Sequence, residues 1–336
     1  MLRNVLIFHS GALGDLVLSF PLALALTRLY PTSRVRYVTT SEKGRMAAKM
    51  VGVEWVDVET GLSPSLSGVP NTSSSVSAGA VAFTALYSAD VEPGESVRRL
   101  LGSAHRIISY TGEAGDVWSK RVRELAPTAT LTYLTTRPED AVKPPVHAID
   151  HLLRQCAAVD RGGDAALAGA VEQIVALLRK QGLLRRVGVD SGGRGVVMHP
   201  GAGSPAKCWP VDHFRELALR LRDSTRDEVR WVLGEVELER MPSGERRALD
   251  ALGDVVVPTG LLGLLEEVLS ARVFVGNDSG PGHVAAMAGV PTVSLFGPTD
   301  AAVWAPVGPR VLAVRGGEGG MENLAVEAVL AAVQQV

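Results

Sequence analysis

The stretch that decides the fold is VFVGNDSGPGHVAAMAGVPTVSLFG, residues 273–297. An apolar run stops at Gly276-Asn277-Asp278, a glycine-rich turn opens a helix of small residues, and a second apolar run begins at Val290. Two buried strands joined by a helix form a βαβ unit of a parallel sheet. The turn is either only a tight connection, or a place where an anion binds the unpaired amides of a helix N-terminus.

The same alternation of strands and helices extends over the whole chain, whose 336 residues exceed what one core usually holds. We expect an N-terminal Rossmann-like domain over residues 1–181, a basic and glycine-rich linker over 182–195, and a C-terminal Rossmann-like domain over 196–336. The last helix can pack back on the first domain. Ligands of parallel sheets bind beyond the carboxyl ends of the strands, so the two domains are expected to face each other across a cleft.

Several segments have a local pattern that the structure can test. Residues 16–29 are typical of one apolar helix, residues 81–86 of a strand, and residues 322–334 of a C-terminal helix. The acidic stretch GEVELE, residues 234–239, is expected to be a loop. Residues 61–79 are rich in Ser, Gly and Pro and predict another loop.

Composition excludes several classes of protein. The formal charge of −2 argues against a nucleic-acid surface. Cys156 and Cys208 have no CxxC spacing, so neither a disulfide framework nor a zinc site is expected, and a reducing, cytoplasmic location fits. Gly11, Gly14 and Asp15 interrupt the first apolar stretch, which argues against a signal peptide or a spanning helix and leaves peripheral membrane contact open.

The first candidate loop is HSGALGD, residues 9–15. Gly11, Ala12 and Gly14 form a small-residue turn whose glycines let the backbone approach a ligand, and no GK[ST] follows as a Walker A loop would require. Asp15 either caps the next helix, or is held ionised by the helix dipole and accepts a proton from an attacking hydroxyl. The two interpretations are compatible.

The second loop is HPGAGSPAKCWP, residues 199–210. Its backbone amides, the hydroxyl of Ser204 and the ammonium of Lys207 suit a phosphate or diphosphate, although a surface lysine after a turn is the ordinary alternative. Gly201 and Gly203 partly match a dinucleotide fingerprint. Because the third glycine is absent, an NAD-dependent dehydrogenase is disfavoured.

The third loop is the turn quoted first. Ser279, Gly280 and Gly282 lie where the amides of a helix's first turn are unpaired and the dipole favours an anion. His283 either donates to a phosphate oxygen or is a packed helix residue. Asp278 places an acid at this anion site, which is explained if it binds sugar hydroxyls beside the phosphates.

Two weaker features remain. Glu235 follows a strand, where it either belongs to a solvated acidic loop or binds a ribose diol. His147 and His151 are four residues apart, but no third ligand is in view, so no metal site is expected.

Three segments together resemble a known family: FHSGALGDLVLSFP, HPGAGSPAKCWP and GNDSGPGHVAAMAGVPTVSLFGPTD. They are similar to the family 9 glycosyltransferases, the ADP-heptose:lipopolysaccharide heptosyltransferases. The resemblance implies an α/β protein of GT-B type, two Rossmann-like domains with parallel sheets facing across a cleft. It also implies inverting, metal-independent transfer of a sugar, heptose from ADP-heptose, onto a lipopolysaccharide core or related glycan, with no cofactor beyond the nucleotide-sugar substrate.

The resemblance also implies residue roles. Asp15 matches the general base, Asp278 the acid that binds the donor sugar, and Glu235, more loosely, the nucleotide-binding acid. The residues matched to the diphosphate site are Ser204, Lys207, Ser279, Gly280 and His283.

The implied partners are a nucleotide sugar and a lipid-linked or oligosaccharide acceptor, with peripheral contact at the cytoplasmic face of the inner membrane and no nucleic acid. Residues 60–145, the expected acceptor side, are Ser- and Gly-rich and not strongly basic, which argues against a phosphorylated lipid A core. A nucleotide-sugar epimerase of the same fold and a non-catalytic sugar-nucleotide binding protein are the alternatives.

Overall fold

The protein divides into two compact α/β units in the computed structural model. The first unit comprises Met1–Arg137 and Ile149–Ile174, and the second comprises Pro138–Ala148 and Val175–Val336. The predicted loop at 61–79 lies outside the described residues, as does most of the predicted linker. The structure describes residues 3–60, 83–138, 144–158, 164–184, 195–225, 227–317 and 320–336.

The first unit is built on five parallel strands. Apolar runs form them, and the first strand is buried along its whole length. The elements are β1 (Asn4–Phe8), α1 (Leu13–Leu18), α2 (Phe20–Leu29), β2 (Arg34–Thr39), α3 (Ser41–Val51), β3 (Glu54–Asp57), α4 (Glu95–Gly102), β4 (Ala104–Ser109), α5 (Val117–Leu125), β5 (Thr130–Tyr133), α6 (Ala148–Ala158) and α7 (Asp164–Gln181).

The strand order in this sheet is β3-β2-β1-β4-β5. In the register, Asn4 of β1 pairs with Arg34 of β2 on one side and with Ala104 of β4 on the other. The order therefore reverses between β1 and β4. In doubly wound sheets, ligands bind beyond the carboxyl ends of the strands at such a point.

The helix expected over residues 16–29 is two helices that meet at Ser19. The hydroxyl of Ser19 donates to the carbonyl of Leu16 at 2.6 Å and lies 2.7 Å from the buried hydroxyl of Tyr37. Pro21, in the first turn of α2, has no N–H to continue the preceding helix. The hydroxyl and the proline together explain the break.

The strand expected at residues 81–86 is wrong from residue 83 onwards, and residues 81 and 82 lie outside the described part of the chain. Phe83–Tyr87 form a short 3₁₀ helix, in which Phe83 and Leu86 are both fully buried in the core of the first unit. Side chains three residues apart align on a 3₁₀ helix, so this pair reaches the core without a strand. The alternation of Phe83 and Ala85 misled the sequence assignment.

The second unit is built on six parallel strands. Its core joins Trp209, Phe214 and Trp231 to side chains of the C-terminal helix. The elements are β6 (Val196–His199), α8 (Val211–Thr225), β7 (Val229–Val232), α9 (Glu235–Arg240), α10 (Ser243–Asp250), β8 (Asp254–Val256), α11 (Gly260–Ser270), β9 (Val273–Asn277), α12 (Gly280–Met287), β10 (Thr292–Phe296), α13 (Ala301–Trp304), β11 (Val311–Arg315) and α14 (Val326–Gln335).

The strand order of the second sheet is β11-β10-β9-β6-β7-β8. The reversal point lies between β6 and β9, where His199 pairs with Gly276. The prediction of two Rossmann-like parallel sheets is confirmed. In this unit the loops after β6 and β9 are the two that meet at the ligand-binding position of the fold.

The acidic stretch at 234–239 is not a loop but the start of α9. The carboxylate of Glu237 accepts the main-chain N–H of Gly234 at 2.8 Å, which stabilises the first turn. Leu238 packs against the core. The C-terminal helix starts at Val326, after a 3₁₀ turn at Gly320–Asn323.

The division between the units falls inside α7, between Ile174 and Val175. The boundary predicted at residue 181 came from the basic, glycine-rich stretch that follows it. In the structure, the last turns of α7, from Val175, already pack with the second unit. The N–H of Leu183, for example, donates to the carbonyl of Met287 at 2.6 Å and ties the chain after α7 to the second unit. Helix α14 packs on α8 and β10. Its predicted packing on the first domain stays a prediction.

None of the helices in the described part of the chain is both long enough and apolar enough to cross a membrane.

Gly44 in α3 tests the packing of the first unit. A Cβ there would lie 2.3 Å from the ring of Trp55, which is 8% exposed. We expect Gly44→Ala to lower the free energy of unfolding by about 1–3 kcal/mol, because the added methyl overpacks the core. The measurement is the urea midpoint followed by far-UV circular dichroism.

Gly169 in α7 provides the matched control in the same unit. It is helical and has nothing within 4 Å of an added Cβ. Gly169→Ala should raise the free energy of unfolding by about 0.5–1 kcal/mol. An unchanged midpoint for Gly44→Ala would contradict the packing described here.

Candidate functional site

Asn277, the last residue of β9, holds together the two loops of the second unit that meet at the reversal point. Its side chain is fully buried. The amide Nδ2 donates to the carbonyl of Pro200 at 2.7 Å, and Oδ1 accepts the N–H of Trp209 at 3.0 Å. The indole Nε1 of Trp209 donates to the carbonyl of Leu324 at 2.9 Å. The loop after β6 is thus fixed at both ends against β9.

Lys207 and Asp278 form an ion pair in this arrangement. The ammonium Nζ of Lys207 lies 2.7 Å from Oδ2 of Asp278, and the carboxylate is only 7% exposed. The hydroxyl of Thr299 donates to the same oxygen at 2.7 Å. Sequence reasoning gave Lys207 and Asp278 separate roles, and the structure brings them into contact. It missed Thr299, although FGPTD was part of the motif.

The N-terminus of α12 lies directly after Asp278. Ser279 is the N-cap residue, and its hydroxyl donates to the carbonyl of Asn277 at 3.1 Å instead of capping the helix. Gly280 and Gly282 occupy the first turn, where no side chain of the described residues caps the amides. The N–H of Gly282 donates to the carbonyl of Ser279 at 3.2 Å, and Pro281 has no N–H, so it is chiefly the helix dipole that makes this end attractive for an anion. We call Lys207, Asp278, Ser279, His283 and Thr299 the Asp278 site.

His283 is buried in α12 and 5% exposed. Burial lowers its pKa to about 4, the carboxylate of Asp278 opposes this, and the charges of His147 and Lys207 lower the pKa further. Its Nδ1 has no hydrogen-bond partner among the described residues. A neutral imidazole still has one N–H that can donate to a phosphate oxygen. The bond from His283 to a phosphate stays a prediction.

Ser204 and Glu235 are less closely tied to the Asp278 site. Ser204 precedes the 3₁₀ turn Pro205–Lys207, and within the described chain its hydroxyl has no hydrogen-bond partner. Glu235 is exposed on the first turn of α9. The acid that contacts the loop is Glu237, whose Oε1 lies 2.1 Å from where a Cβ at Gly201 would be. A larger residue at 201 would require the Glu237 side chain to move.

The two histidines four residues apart contact different parts of the chain. His147 lies before α6, and its Nε2 is 2.9 Å from the carbonyl of Ala305. His151 lies within α6, and its Nε2 is 3.1 Å from the hydroxyl of Thr135. No group of three or more metal-ligating side chains exists among the residues that the structure describes.

The second unit has a pocket of about 850 Å³, lined by residues 205, 206 and 208, residues 297 and 298, and residues 315–317 and 320–322. None of the predicted donor-binding side chains lines it. Its lining residues nevertheless flank Lys207 and directly precede Thr299, so it lies next to the Asp278 site.

In the first unit, Asp15 lies in the first turn of α1. The N-cap is Ala12, so Asp15 is not the cap that one interpretation expected. A Cβ at Gly11 would lie 3.2 Å from Oδ2 of Asp15 and 3.3 Å from Cε1 of His9. The carboxylate and the imidazole therefore converge on Gly11, where a larger residue would be tight.

Lys43 supports this loop and was missed by sequence reasoning. Its ammonium donates to the carbonyl of Gly11 at 2.6 Å and to that of Ser10 at 3.1 Å. Burial lowers the pKa of Lys43, and the nearby charge of Asp15 opposes the shift. The only advance signal was that Lys43 follows β2, the neighbour of β1.

A pocket of about 730 Å³ opens beside Asp15, and we call it the Asp15 pocket. Its lining comes from the carboxyl ends of three strands of the first sheet: the loop after β1, residues between 110 and 116 after β4, and residues 133–137 at the end of β5. His9 is part of the lining and is 2% exposed. Burial lowers its pKa to about 4, and the charge of Lys43 adds to this.

A sequence model and curated relatives point to one family. The sequence model of Glycosyltransferase family 9 (heptosyltransferase) matches residues 144–333, more than half of the chain. Lipopolysaccharide heptosyltransferase 1 of Pseudomonas aeruginosa is 36% identical over 111 residues, which cover 33% of this chain and 31% of that protein. Lipopolysaccharide heptosyltransferase 3 of Escherichia coli is 37% identical over 123 residues, 33% of each chain. The matches thus span about a third of these curated relatives.

Solved structures with the same fold cover nearly the whole chain. The E. coli heptosyltransferase WaaC with ADP has a TM-score of 0.63 at 17% identity, over 99% of each chain. The E. coli ADP-heptose lipopolysaccharide heptosyltransferase II has a TM-score of 0.64 at 19% identity, over 99% of this chain and 98% of that one. At such identities the likeness shows the fold. Asp15 lies outside the residues that the family model matches.

Replacement of Asn277 tests how the Asp278 site is held. Asn277→Ala should cost about 1–3 kcal/mol of stability for each group left unpaired. It should also weaken ADP binding by about tenfold or more, since about 1.4 kcal/mol corresponds to tenfold. Urea unfolding and calorimetric ADP titration measure the two effects.

Asn4→Ala is the control, because Asn4 is a buried asparagine of the first unit whose amide donates to the hydroxyl of Ser103 at 2.6 Å. It should lower stability and leave ADP affinity unchanged. Equal ADP affinity of wild type and Asn277→Ala would contradict the role given to Asn277.

The buried His283 makes stability depend on pH. Its pKa is about 4 in the folded chain and about 6.5 when unfolded. The unfolded state therefore binds more protons between these values, and stability falls as the pH drops from about 6.5 towards 4. His283→Gln should give a shallower fall, measured as urea midpoints between about pH 7 and pH 4.5. Parallel curves for the two proteins would refute the burial effect.

Proposed function

The chain belongs to glycosyltransferase family 9, the heptosyltransferase family, as its three motifs predicted. From that premise we propose that it is an inverting, metal-independent glycosyltransferase that moves heptose from ADP-heptose onto a lipopolysaccharide core or related glycan. The curated relatives are lipopolysaccharide heptosyltransferases, and one solved relative holds ADP. These likenesses support the choice of donor and acceptor class.

The observation that carries the proposal is the Asp278 site. An ammonium, the N-terminal end of α12 and a buried carboxylate lie together beyond adjacent strands β6 and β9. Amides and the Lys207 ammonium suit a diphosphate, whereas a carboxylate suits sugar hydroxyls. A nucleotide diphosphate sugar contains both a diphosphate and sugar hydroxyls. This supports the donor-binding roles of Lys207, Ser204, Ser279 and Asp278.

In the proposed reaction Asp15 acts as the general base. The acceptor hydroxyl gives its proton to the Asp15 carboxylate while its oxygen bonds to the anomeric carbon of the donor. Asp15 is suited to this because, among the described residues, no hydrogen bond occupies its carboxylate and it lines the Asp15 pocket. Base catalysis of this kind contributes about 10²–10⁴-fold in rate.

The bond from the anomeric carbon to the diphosphate breaks as the new bond forms on the opposite face, so the configuration inverts. ADP leaves with the electron pair, and negative charge builds up on its terminal phosphate. In the proposal Lys207, the amides of α12 and the N–H of His283 stabilise this charge without a metal ion. Loss of one such donor commonly lowers the rate about 10²–10³-fold.

The location of the protein belongs to the same proposal. We assign it to the cytoplasm, with peripheral contact at the inner membrane through a lipid-linked acceptor. Glu235 retains its assignment to the nucleotide, although its neighbour Glu237 is the acid in contact with the loop after β6.

The full chain with Asp15→Asn or Lys207→Gln tests the proposal. Asp15→Asn should lower transfer from ADP-heptose about 10²–10⁴-fold and leave the Kd for ADP unchanged, because the base does not bind the donor. Lys207→Gln should lower both transfer and ADP affinity. Transfer is measured as acceptor-dependent ADP release over a panel of core oligosaccharides, and binding by calorimetry. Excess EDTA should leave the wild-type rate unchanged.

Asp212→Asn is the matched control, since Asp212 is 82% exposed at its side chain and bonds only Arg215 on the same helix. Near wild-type transfer by Asp15→Asn would remove the base assignment. Donor converted to an epimer without acceptor would favour the epimerase, and ADP binding without any transfer would favour a binding protein.

A further inference from the structure

Ser19 is a buried residue directly after α1, the short helix that carries Asp15. Its side chain is fully buried. The hydroxyl Oγ donates to the carbonyl of Leu16 at 2.6 Å, and it lies 2.7 Å from the phenolic oxygen of Tyr37. A hydroxyl has a single proton, and that of Ser19 goes to Leu16. Tyr37 is therefore the donor in the second bond, and the two bonds form one chain from Tyr37 to the backbone of α1.

Tyr37 anchors this chain of hydrogen bonds in the first sheet. It belongs to β2, where it pairs with Ile7 of β1. It is fully buried, and its ring meets that of Phe20 edge to face, with centroids 6.3 Å apart. Burial raises the pKa of Tyr37, and the bond to Ser19 only partly opposes that shift. The phenol therefore keeps its proton at neutral pH and remains the donor to Ser19.

Helix α1 is too short to be held by its own hydrogen bonds. It has six residues, Leu13–Leu18, whereas isolated helices shorter than about 12 residues are marginal in water. Its N-cap residue is Ala12, whose methyl side chain cannot cap the first turn. At the other end, Pro21 has no N–H to donate to the carbonyl of Val17, so the hydrogen bonds of α2 do not continue unbroken into α1. The Ser19 hydroxyl instead ties the last turn of α1 to β2.

The position of Asp15 depends on this attachment. The main-chain N–H of Ser19 donates to the carbonyl of Asp15 at 3.1 Å and to that of Leu16 at 3.0 Å, so Ser19 contacts the backbone of both residues. The Asp15 carboxylate in turn stands close to the loop after β1, since a Cβ at Gly11 would lie 3.2 Å from its Oδ2. A rotation of α1 about its axis would therefore change where the carboxylate stands relative to that loop.

We infer that Tyr37 and Ser19 are positioning residues for Asp15, and that their hydrogen-bonded pair fixes the rotation of α1 and so the place of the Asp15 carboxylate. This inference rests on the proposed function, in which that carboxylate takes the proton of the acceptor hydroxyl. Both side chains are fully buried and act through α1. Loss of the pair lowers kcat and leaves donor binding intact, since a misplacement of about 1 Å can cost about 10²-fold in rate.

Tyr37→Phe tests the inference in the full chain, because it removes one oxygen atom and keeps the ring. Transfer from ADP-heptose to a core oligosaccharide should lose about tenfold or more in kcat, whereas the calorimetric Kd for ADP should equal that of the wild type. Ser19→Ala should give the same loss, and Ser19→Thr, which keeps a hydroxyl, should retain most of the wild-type kcat. Far-UV circular dichroism before each assay establishes that the variants are folded.

A double-mutant cycle separates positioning from a purely structural role. In the Asp15→Asn chain, Tyr37→Phe should not lower kcat further, because its effect passes through the carboxylate. Asn4→Ala, which removes the buried bond to Ser103 in the same unit, should lower stability and leave kcat unchanged. Wild-type kcat in Tyr37→Phe, or an equal loss with and without the Asp15 carboxylate, overturns the inference alone. Wild-type transfer by Asp15→Asn would instead refute the base assignment of the proposed function, and the inference with it.

Discussion

The buried side-chain amide of Asn277 is the constraint on which the second unit's chemistry depends. Its oxygen accepts the N–H of Trp209, and its nitrogen donates to the carbonyl of Pro200. One side chain therefore fixes both ends of the loop after β6 against the end of β9. Lys207 lies within that loop and Asp278 is the next residue along the strand. Their 2.7 Å contact is therefore set by a neutral hydrogen-bonded group, not by the attraction of the two charges alone.

In the first unit, the loop at the reversal point of the sheet is held by a different kind of contact. Its loop after the first strand is held by the ammonium of Lys43, which binds two loop carbonyls. The Lys43 ammonium therefore supports the backbone of the loop and does not line the pocket beside Asp15. That pocket is lined by the Asp15 carboxylate and by His9, whose lowered pKa leaves it uncharged. The same strand order thus places an ion pair and a helix N-terminus at the reversal point of one sheet, and a pocket lined by Asp15 and His9 at that of the other.

Local pattern predicted most of the fold because its strands are apolar runs buried on both faces and its turns are marked by glycine. It failed at Phe83–Tyr87, where the buried side chains of Phe83 and Leu86 belong to a 3₁₀ turn and not to a strand. It also failed at 234–239, where the bond from the N–H of Gly234 to the carboxylate of Glu237 stabilises the start of a helix. The side chains of Asp15 and Lys207 were predictable from their loops. Thr299 and Lys43 were not, because each meets its partner across more than twenty residues of chain.

The pairing of Lys207 with Asp278 has a further consequence for turnover. A lysine that already has a carboxylate partner gains less from a diphosphate than an unpaired lysine would, since the new attraction partly replaces an existing one. In the proposed donor complex, this pairing would therefore weaken the contact between Lys207 and the diphosphate. In the proposed reaction, Asp278 would again pair with the ammonium when ADP leaves, and this internal counter-ion would favour product release, a step that limits the rate of many enzymes.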